Sequence, residues 1–331
     1  MTGMPSPRHI LKPPPLRRGD TIGIVAAASN IQASLLDAGV ARLRDLGYEV
    51  VVGSGILDQD LYFAGKAERR ACELTEMFER DDVRAIICAR GGYGSNYLLP
   101  LLDLDLIQRH PKIFVGYSDI TSLLTWISDE TGLVTFHGPM VTKDFANVDG
   151  VHLGSWLAVT QNEAGNSTLS SREFPLLKTL IPGSAEGDLY GGCLSILVAS
   201  LGTPYEIETG ATILFVEDIG AKPYQIDRML MQMKYAGAFD GVRGVVFGEM
   251  VDCVQPGGQA YTLEEVIVRV LGDLGIPVVY GLPSGHVQQN NVILPIGVRC
   301  SLRADDVSVT LNFLESAVNT RSLRASKTPT Q

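Results

Sequence analysis

The stretch Pro111-Lys-Ile-Phe-Val-Gly-Tyr-Ser-Asp-Ile-Thr-Ser-Leu-Leu-Thr-Trp126 changes its period in the middle. An apolar strand runs into an apolar-periodic helix, and Ser118 stands at the corner. A sharp strand-to-helix turn lifts a serine hydroxyl clear of the backbone, over the carboxyl edge of a sheet, and leaves the next amide free to stabilise an oxyanion. The Gly-x-Ser-x-Gly pattern is incomplete, because Gly116 is present but Ile120 stands where the second glycine would be. Serine at such a corner is also a favoured helix cap.

Around this corner, strand and helix periods alternate. Thr21 to Ser29 reads as a strand and loop, and Leu35 to Leu46 as a helix with Leu36, Val40 and Leu43 on one face. Strands follow at Glu49–Val52, Val83–Ala89, Lys112–Tyr117 and Leu133–His137, with a helix over Lys66–Arg80. This βαβα order predicts an α/β fold with a mostly parallel sheet, helices on both faces, and ligands at the carboxyl ends of the strands. Between Gly154 and Pro182 the pattern fades, and the polar run from Gln161 to Thr168 reads as an exposed linker or lid-like loop. A second α/β unit follows, with buried strands at Ala211–Val216 and Val242–Met250, helices at Leu194–Leu201, Pro223–Tyr235 and Thr262–Leu274, and a strand at Val278–Tyr280. Val298–Leu302 and Val307–Phe313 are expected to close it as an antiparallel pair, and the tail from Ser316 is expected to be flexible.

Composition narrows the function classes. A chain of 331 residues exceeds the usual size of one core, so two domains are expected. The net charge of -10, without a Lys/Arg block, argues against nucleic acid. Cys72, Cys88, Cys193, Cys253 and Cys300 are odd in number and widely spaced, which suits buried thiols in a reducing compartment and shows neither a disulfide scaffold nor a metal-binding spacing. The proline-rich segment Met1–Arg18 lacks the apolar core of a secretory signal, and no apolar run reaches membrane-spanning length, so a cytoplasmic enzyme without membrane insertion is expected.

Arg90-Gly-Gly-Tyr-Gly94 ends one strand and Gly116-Tyr-Ser118 the next, so both open onto the same edge. A Gly91 or Gly92 amide, paired with that of Asp119, suits an oxyanion hole over a carbonyl attacked by Ser118. A phosphate loop fits less well, since no Walker lysine and serine follow; a turn without chemistry is the bland alternative. In the second unit, Glu217 directly follows an apolar strand, and His286 sits in the loop Gly281-Leu-Pro-Ser-Gly-His286. His286 is the preferred general base, with His137 its rival. Glu217 beside Asp218 can equally cap a turn or bind Lys222. Arg90 and Lys222 are candidates for holding a substrate carboxylate, Arg90 having the alternative of pinning its own loop.

Taken in order, Leu16-Arg-Arg-Gly-Asp-Thr-Ile-Gly-Ile-Val-Ala-Ala-Ala-Ser29, Arg90-Gly-Gly-Tyr-Gly94, Gly116-Tyr-Ser-Asp119, Phe136-His-Gly-Pro139, Gly191-Gly192, Val216-Glu-Asp218 with Tyr224-Gln-Ile-Asp-Arg-Met-Leu230, and Gly281-Leu-Pro-Ser-Gly-His286 resemble the LD-carboxypeptidase, or muramoyltetrapeptide carboxypeptidase, family over about residues 14 to 313. The resemblance implies a flavodoxin-like unit over 14–155, a linker or lid over 156–184, a smaller mixed α/β unit rich in β-strands over 185–315, and a tail over 316–331. It implies a triad of Ser118, Glu217 and His286, an oxyanion hole at Asp119 and Gly92 or Gly91, no metal or organic cofactor, and a homodimer. The implied reaction is release of terminal D-alanine from murein tetrapeptides in cell-wall recycling. The alternatives are an immunity-type peptidase acting on peptide-nucleotide conjugates and an inactive cell-wall-peptide binding protein. The immunity branch usually carries a longer insertion and an aromatic platform near its acid, whereas here the Gly220–Arg228 run is compact and Trp126 and Trp156 are the only tryptophans, which favours recycling.

Overall fold

The computed structural model of the chain describes residues 10–161, 167–255, 257 and 260–319. In its first half, β1 (Thr21–Val25), β2 (Glu49–Val52), β3 (Val83–Cys88), β4 (Ile113–Gly116) and β5 (Thr135–His137) are separated by α1 (Ala33–Asp45), α2 (Ala67–Glu79), α3 (Leu104–Arg109) and α4 (Thr121–Thr131). Nearly every residue of β1, β3 and β4 is buried, the pattern of parallel strands covered on both faces. The strands lie in the order β2-β1-β3-β4-β5, all parallel, which is the flavodoxin-like arrangement. Its order reverses between β1 and β3, so the loops after those strands diverge and leave a crevice at their carboxyl ends.

The second half contributes α5 (Leu153–Gln161), β6 (Ser167–Ser170), β7 (Lys178–Ile181), β8 (Gly183–Cys193), α6 (Leu194–Ser200), β9 (Thr212–Glu217), α7 (Pro223–Tyr235), β10 (Gly244–Gly248), α8 (Leu263–Leu271), β11 (Val278–Leu282), β12 (Leu294–Ile296), β13 (Arg299–Ala304) and β14 (Val309–Phe313). Eight of these strands form a mixed sheet in the order β6-β14-β13-β8-β9-β10-β11-β7, larger than the six-stranded first sheet. The expected antiparallel closing pair is β13 and β14.

Two expectations need correction, and one strand pairing had no sequence signal. The stretch 156–184, read as a linker or lid, holds most of α5 and two edge strands, β6 on β14 and β7 on β11. Residues 162–166 of its polar run lie outside the described residues. Short edge strands are half-exposed, so Ser167–Ser170 and Lys178–Ile181 show no clean apolar alternation to read. The expected tail begins too early: Ala317 and Val318 are buried, and the Asn319 amide donates to Pro13 O at 2.7 Å, while residues from 320 onward lie outside the description. Finally, β12 returns to the first sheet, pairing antiparallel with β5 so that Leu294 faces His137. One apolar cluster accordingly runs from Ile22 through Phe136 and Leu294 to Phe313.

The junction behind the corner depends on glycine. Gly191 has φ +118°, and a Cβ there would stand 2.1 Å from Phe215 O on the neighbouring β9. Next to it, the Cys193 amide donates to Thr121 Oγ1 at 3.0 Å, tying β8 to the first turn of α4. Gly191→Ala is therefore expected to lower stability by on the order of 3 kcal/mol, read as a fall in the urea midpoint. Gly202 serves as control, because it too has a positive φ, +75°, yet a Cβ there would meet nothing within 4 Å. Gly202→Ala should cost about 1 kcal/mol. Equal shifts for the two would refute the clash.

Candidate active site

β4 ends in Gly116, Tyr117 stays extended at φ -153°, and Ser118 then takes φ +63° before a short 3₁₀ turn leads into α4. A non-glycine residue in this left-handed region costs about 1–3 kcal/mol and persists only where its surroundings enforce it. Here two glycines permit the geometry. A Cβ at Gly116 would approach Ile120 Cγ2 to 2.7 Å, so the strand passes this close to the helix start only as glycine. A Cβ at Gly91 would lie 2.8 Å from Ser118 Cβ and 3.0 Å from its Oγ, so the glycine loop rests directly on the serine. Ile120, in place of the usual second glycine, is fully buried in the core behind the turn.

The loop itself is pinned by polar groups. Ser29, after β1, donates its amide to Gly91 O at 3.3 Å and accepts the Tyr93 amide on Oγ at 3.1 Å. Asp119 is 2% exposed; its carboxylate accepts the Ser95 amide at 2.8 Å, and its carbonyl accepts Ser95 Oγ at 2.6 Å. Burial raises its pKa, and the Ser95 hydrogen bonds and the Arg70 charge only partly offset that. Arg70 is the residue that the sequence reading missed. From α2 it donates to Gly65 O, Ala27 O and Gly94 O, fastening the loops after β1, β2 and β3 with one guanidinium. Its signal was a charge on the apolar stripe, in step with Leu74, Met77 and Phe78.

Glu217 is the last residue of the fully buried β9. Its Oε2 accepts the His286 amide at 2.9 Å and lies 2.8 Å from His286 Nδ1. Burial would raise the Glu217 pKa, but the His286 charge and hydrogen bonds outweigh it and the net shift is downward. Close packing enforces the pair: a Cβ at Gly285 would stand 2.4 Å from Glu217 Cδ, and one at Gly248 2.7 Å from Glu217 Cβ. Fully buried Asn291 clamps the loop, accepting the Gly285 amide at 3.0 Å and donating to Gly285 O at 3.1 Å. Asp218 does not share the pair; its carboxylate accepts the Ser195 and Ile219 amides, each at 2.8 Å.

Ser118 and His286 line one cavity of about 340 Å³, together with Arg90, Gly91, Gly92 and Tyr117. The Tyr117 ring meets His286 edge-on at 5.2 Å. Lys222 does not line this cavity; it is exposed at the start of α7, where its amide donates to Gln225 Oε1 at 2.8 Å. Lys143 lines it instead, a cation with no signal in the sequence beyond its nearness to Phe136–Pro139. Cys193, Glu217 and His286 place potential metal ligands within 4.8 Å of one another, a grouping that chain spacing does not reveal. Burial raises the Cys193 thiol well above its ordinary pKa, which disfavours the thiolate a metal would need. The set fits a thiol packed behind a Glu–His pair better than a metal centre.

A hydroxyl on a strained turn, an imidazole oriented by a buried carboxylate, and a glycine loop against the hydroxyl are the parts of an acyl-transfer site. The LD-carboxypeptidase N-terminal domain matches residues 22–138 and the LD-carboxypeptidase C-terminal domain residues 186–302. The probable murein peptide carboxypeptidase of Bacillus subtilis (strain 168) is 38% identical over 314 residues, covering 95% of this chain and 97% of that protein. Among solved structures, the wild-type microcin C7 self-immunity protein MccF without ligand has a TM-score of 0.86 at 28% identity, covering 93% of this chain and all of its own. The muramoyltetrapeptide carboxypeptidase from Oxalobacter formigenes has a TM-score of 0.79 at 30% identity, covering 89% and 99%. With both domains matched in order and a relative of such identity along nearly its whole length, the chain belongs to the LD-carboxypeptidase family.

Proposed function

We propose that this protein is a serine LD-carboxypeptidase that releases the terminal D-alanine of murein tetrapeptides. The observation that carries the reading is His286 Nδ1 held 2.8 Å from buried Glu217 Oε2 in the cavity that Ser118 lines. Glu217 then fixes the tautomer with hydrogen on Nδ1, leaving Nε2 to accept the Ser118 proton as Oγ attacks the scissile carbonyl. The Asp119 amide and that of Gly92, or Gly91, receive the oxyanion, and one such donor is worth about 3 kcal/mol in the transition state. As the tetrahedral intermediate collapses, the C–N bond breaks and His286 passes its proton to the departing amine. Water then gives His286 a proton, attacks the acyl-enzyme and returns Ser118 to its hydroxyl form.

His286 rather than His137 is supported as the base by exposure and protonation. His137 is wholly buried, both ring nitrogens lack a hydrogen-bond partner among the described residues, and burial lowers its pKa to about 4, with Glu217 pulling upward and His286 pushing further down. The substrate class follows the carboxypeptidase relative, a murein peptide carboxypeptidase by name. A second reading, cleavage of peptide-nucleotide conjugates, is favoured by the close structural likeness to the microcin immunity protein. Against it, Trp156 is fully buried and Trp126 stacks edge-on against Tyr205 at 4.9 Å, so neither offers an aromatic surface to the cavity. No helix among the described residues is long and apolar enough to cross a membrane. A cytoplasmic homodimer, with the nucleophile on the first sheet and the acid and base at strand ends of the second, completes the proposal; the two sheets support that division of the residues and the family resemblance supports the dimer.

Ser118→Ala should keep the fold and substrate binding while abolishing D-alanine release, and Glu217→Gln should cause a large loss with shape preserved; combined, they should be strongly non-additive. Retained turnover in Ser118→Ala would sink the assignment. Incubated with murein tetrapeptide, the corresponding pentapeptide and a peptide-nucleotide conjugate, the pure enzyme should remove one D-alanine preferentially from the tetrapeptide, because the terminal bond of the pentapeptide joins two D-residues and presents the wrong geometry of attack. Mass analysis showing faster cleavage of the conjugate would favour the second reading. For His137, the unfolded ring takes a proton near 6.5 and the folded one only near 4, so between those values the unfolded state binds more protons and stability falls as pH falls. His137→Phe should remove on the order of 3 kcal/mol of that acid loss between pH 7 and pH 4. Parallel pH profiles of the urea midpoint would show that His137 does not contribute it.

A further inference from the structure

A carboxypeptidase must hold the free carboxylate of the residue it releases, and two cations, Arg90 and Lys143, line the cavity. They stand in different surroundings. Arg90 is exposed beside the glycine loop, its Nη1 donating to Asn30 O at 3.3 Å. Lys143 is half-buried on a π-helical turn over Val141–Phe145, with Nζ 5.5 Å from the centre of the Tyr117 ring. The same ring packs edge-on against His286 at 5.2 Å. Lys143 forms no ion pair among the described residues.

The turn that carries Lys143 is fixed to the site. The Thr142 amide and Oγ1 both donate to Ala89 O at 2.9 Å, just before Arg90, and the Asp144 carboxylate accepts the Met140 amide at 2.8 Å. A Cβ at Gly39 would fall 2.3 Å from Val141 O, so α1 presses directly on this turn. The ammonium is thus delivered from a rigid backbone, while its stem remains free to follow a ligand.

Acyl transfer tells the two cations apart. His286 must give its proton to the departing nitrogen, so the residue being released lies on the imidazole side of the scissile carbonyl, and its carboxylate is only two bonds beyond that nitrogen. The oxyanion lies on the other side, toward Gly91 and Gly92, where Arg90 stands. We propose that Lys143, over the same Tyr117 ring that His286 meets, binds the terminal carboxylate of the departing residue and confines the enzyme to carboxyl-terminal bonds. This assignment rests on the proposed hydrolase function.

The test compares a murein tetrapeptide with its carboxyl-terminal amide in the full-length wild type and in Lys143→Met, Lys143→Arg and Arg90→Met. A lost charge-assisted contact predicts that Lys143→Met lowers kcat/KM on the acid by roughly tenfold to a hundredfold, chiefly through KM, with far less effect on the amide. Lys143→Arg should recover part of the preference, and thermal melting should be unchanged. Equal losses on acid and amide, or a preference abolished by Arg90→Met and untouched by Lys143→Met, would overturn the proposal. Titration of tetrapeptide into Ser118→Ala and into Ser118→Ala with Lys143→Met reads the same contact without turnover, and equal affinities there overturn it too. Absence of wild-type turnover with Lys143-dependent binding would instead count against the hydrolase function and leave the carboxylate contact standing.

Discussion

A carboxylate shut away from water must be neutralised, protonated or paired, and Glu217 at the end of β9 is paired. Its only hydrogen-bonding partner among the described residues, His286, comes from a loop much later in the chain, and contributes both a backbone amide and a ring nitrogen. Both bonds fall on one oxygen, which fixes the imidazole plane relative to the strand. Gly248 and Gly285 have no side chains because Glu217 fills the space where they would be. The second sheet therefore serves the site by presenting one buried charge at one strand end, and the loop around Asn291 is shaped to meet it.

The first sheet solves a complementary problem. Three loops leave β1, β2 and β3 in different directions, and loops alone would not hold a glycine backbone against a serine. Arg70 removes that freedom by accepting burial in return for three carbonyl partners. Burial lowers its pKa, yet guanidinium stays charged, and the nearby Asp119 carboxylate opposes the shift. The charge network is local to the crevice, so the precision of the Gly91–Ser118 contact comes from polar pinning laid over an apolar sheet.

How far the sequence revealed this depended on the range of each signal. The corner at Ser118 was legible because β4 is continuously apolar and α4 has helical spacing, both local properties. Glu217 and His286 could be proposed from their places at strand ends, and the family motifs joined them; their 2.8 Å contact depends on the packing of β9 beside the β11 loop, which local periodicity does not encode. Arg70 was obscured because a charged residue on a helix usually faces water. Lys143 was passed over because nothing in its neighbours marks the π-helical turn that delivers it, and Lys222 looked attractive only because it is near Glu217 in sequence. Edge strands β6 and β7 escaped notice for want of alternation, and β12 because its pairing with β5 spans the whole second unit.

That return of β12 has a consequence for synthesis. Until Leu294–Ile296 leaves the ribosome, β5 is an uncovered edge, and the strand carrying His137 waits for its neighbour while the second unit is being made. Such distant pairing is slow and exposes the nascent first sheet to other chains. It also makes completion of the sheet coincide with arrival of the imidazole, since His286 emerges only a few residues before β12. A ribosome that stops early thus yields a chain whose first sheet lacks its last strand and whose crevice lacks the Glu217–His286 pair.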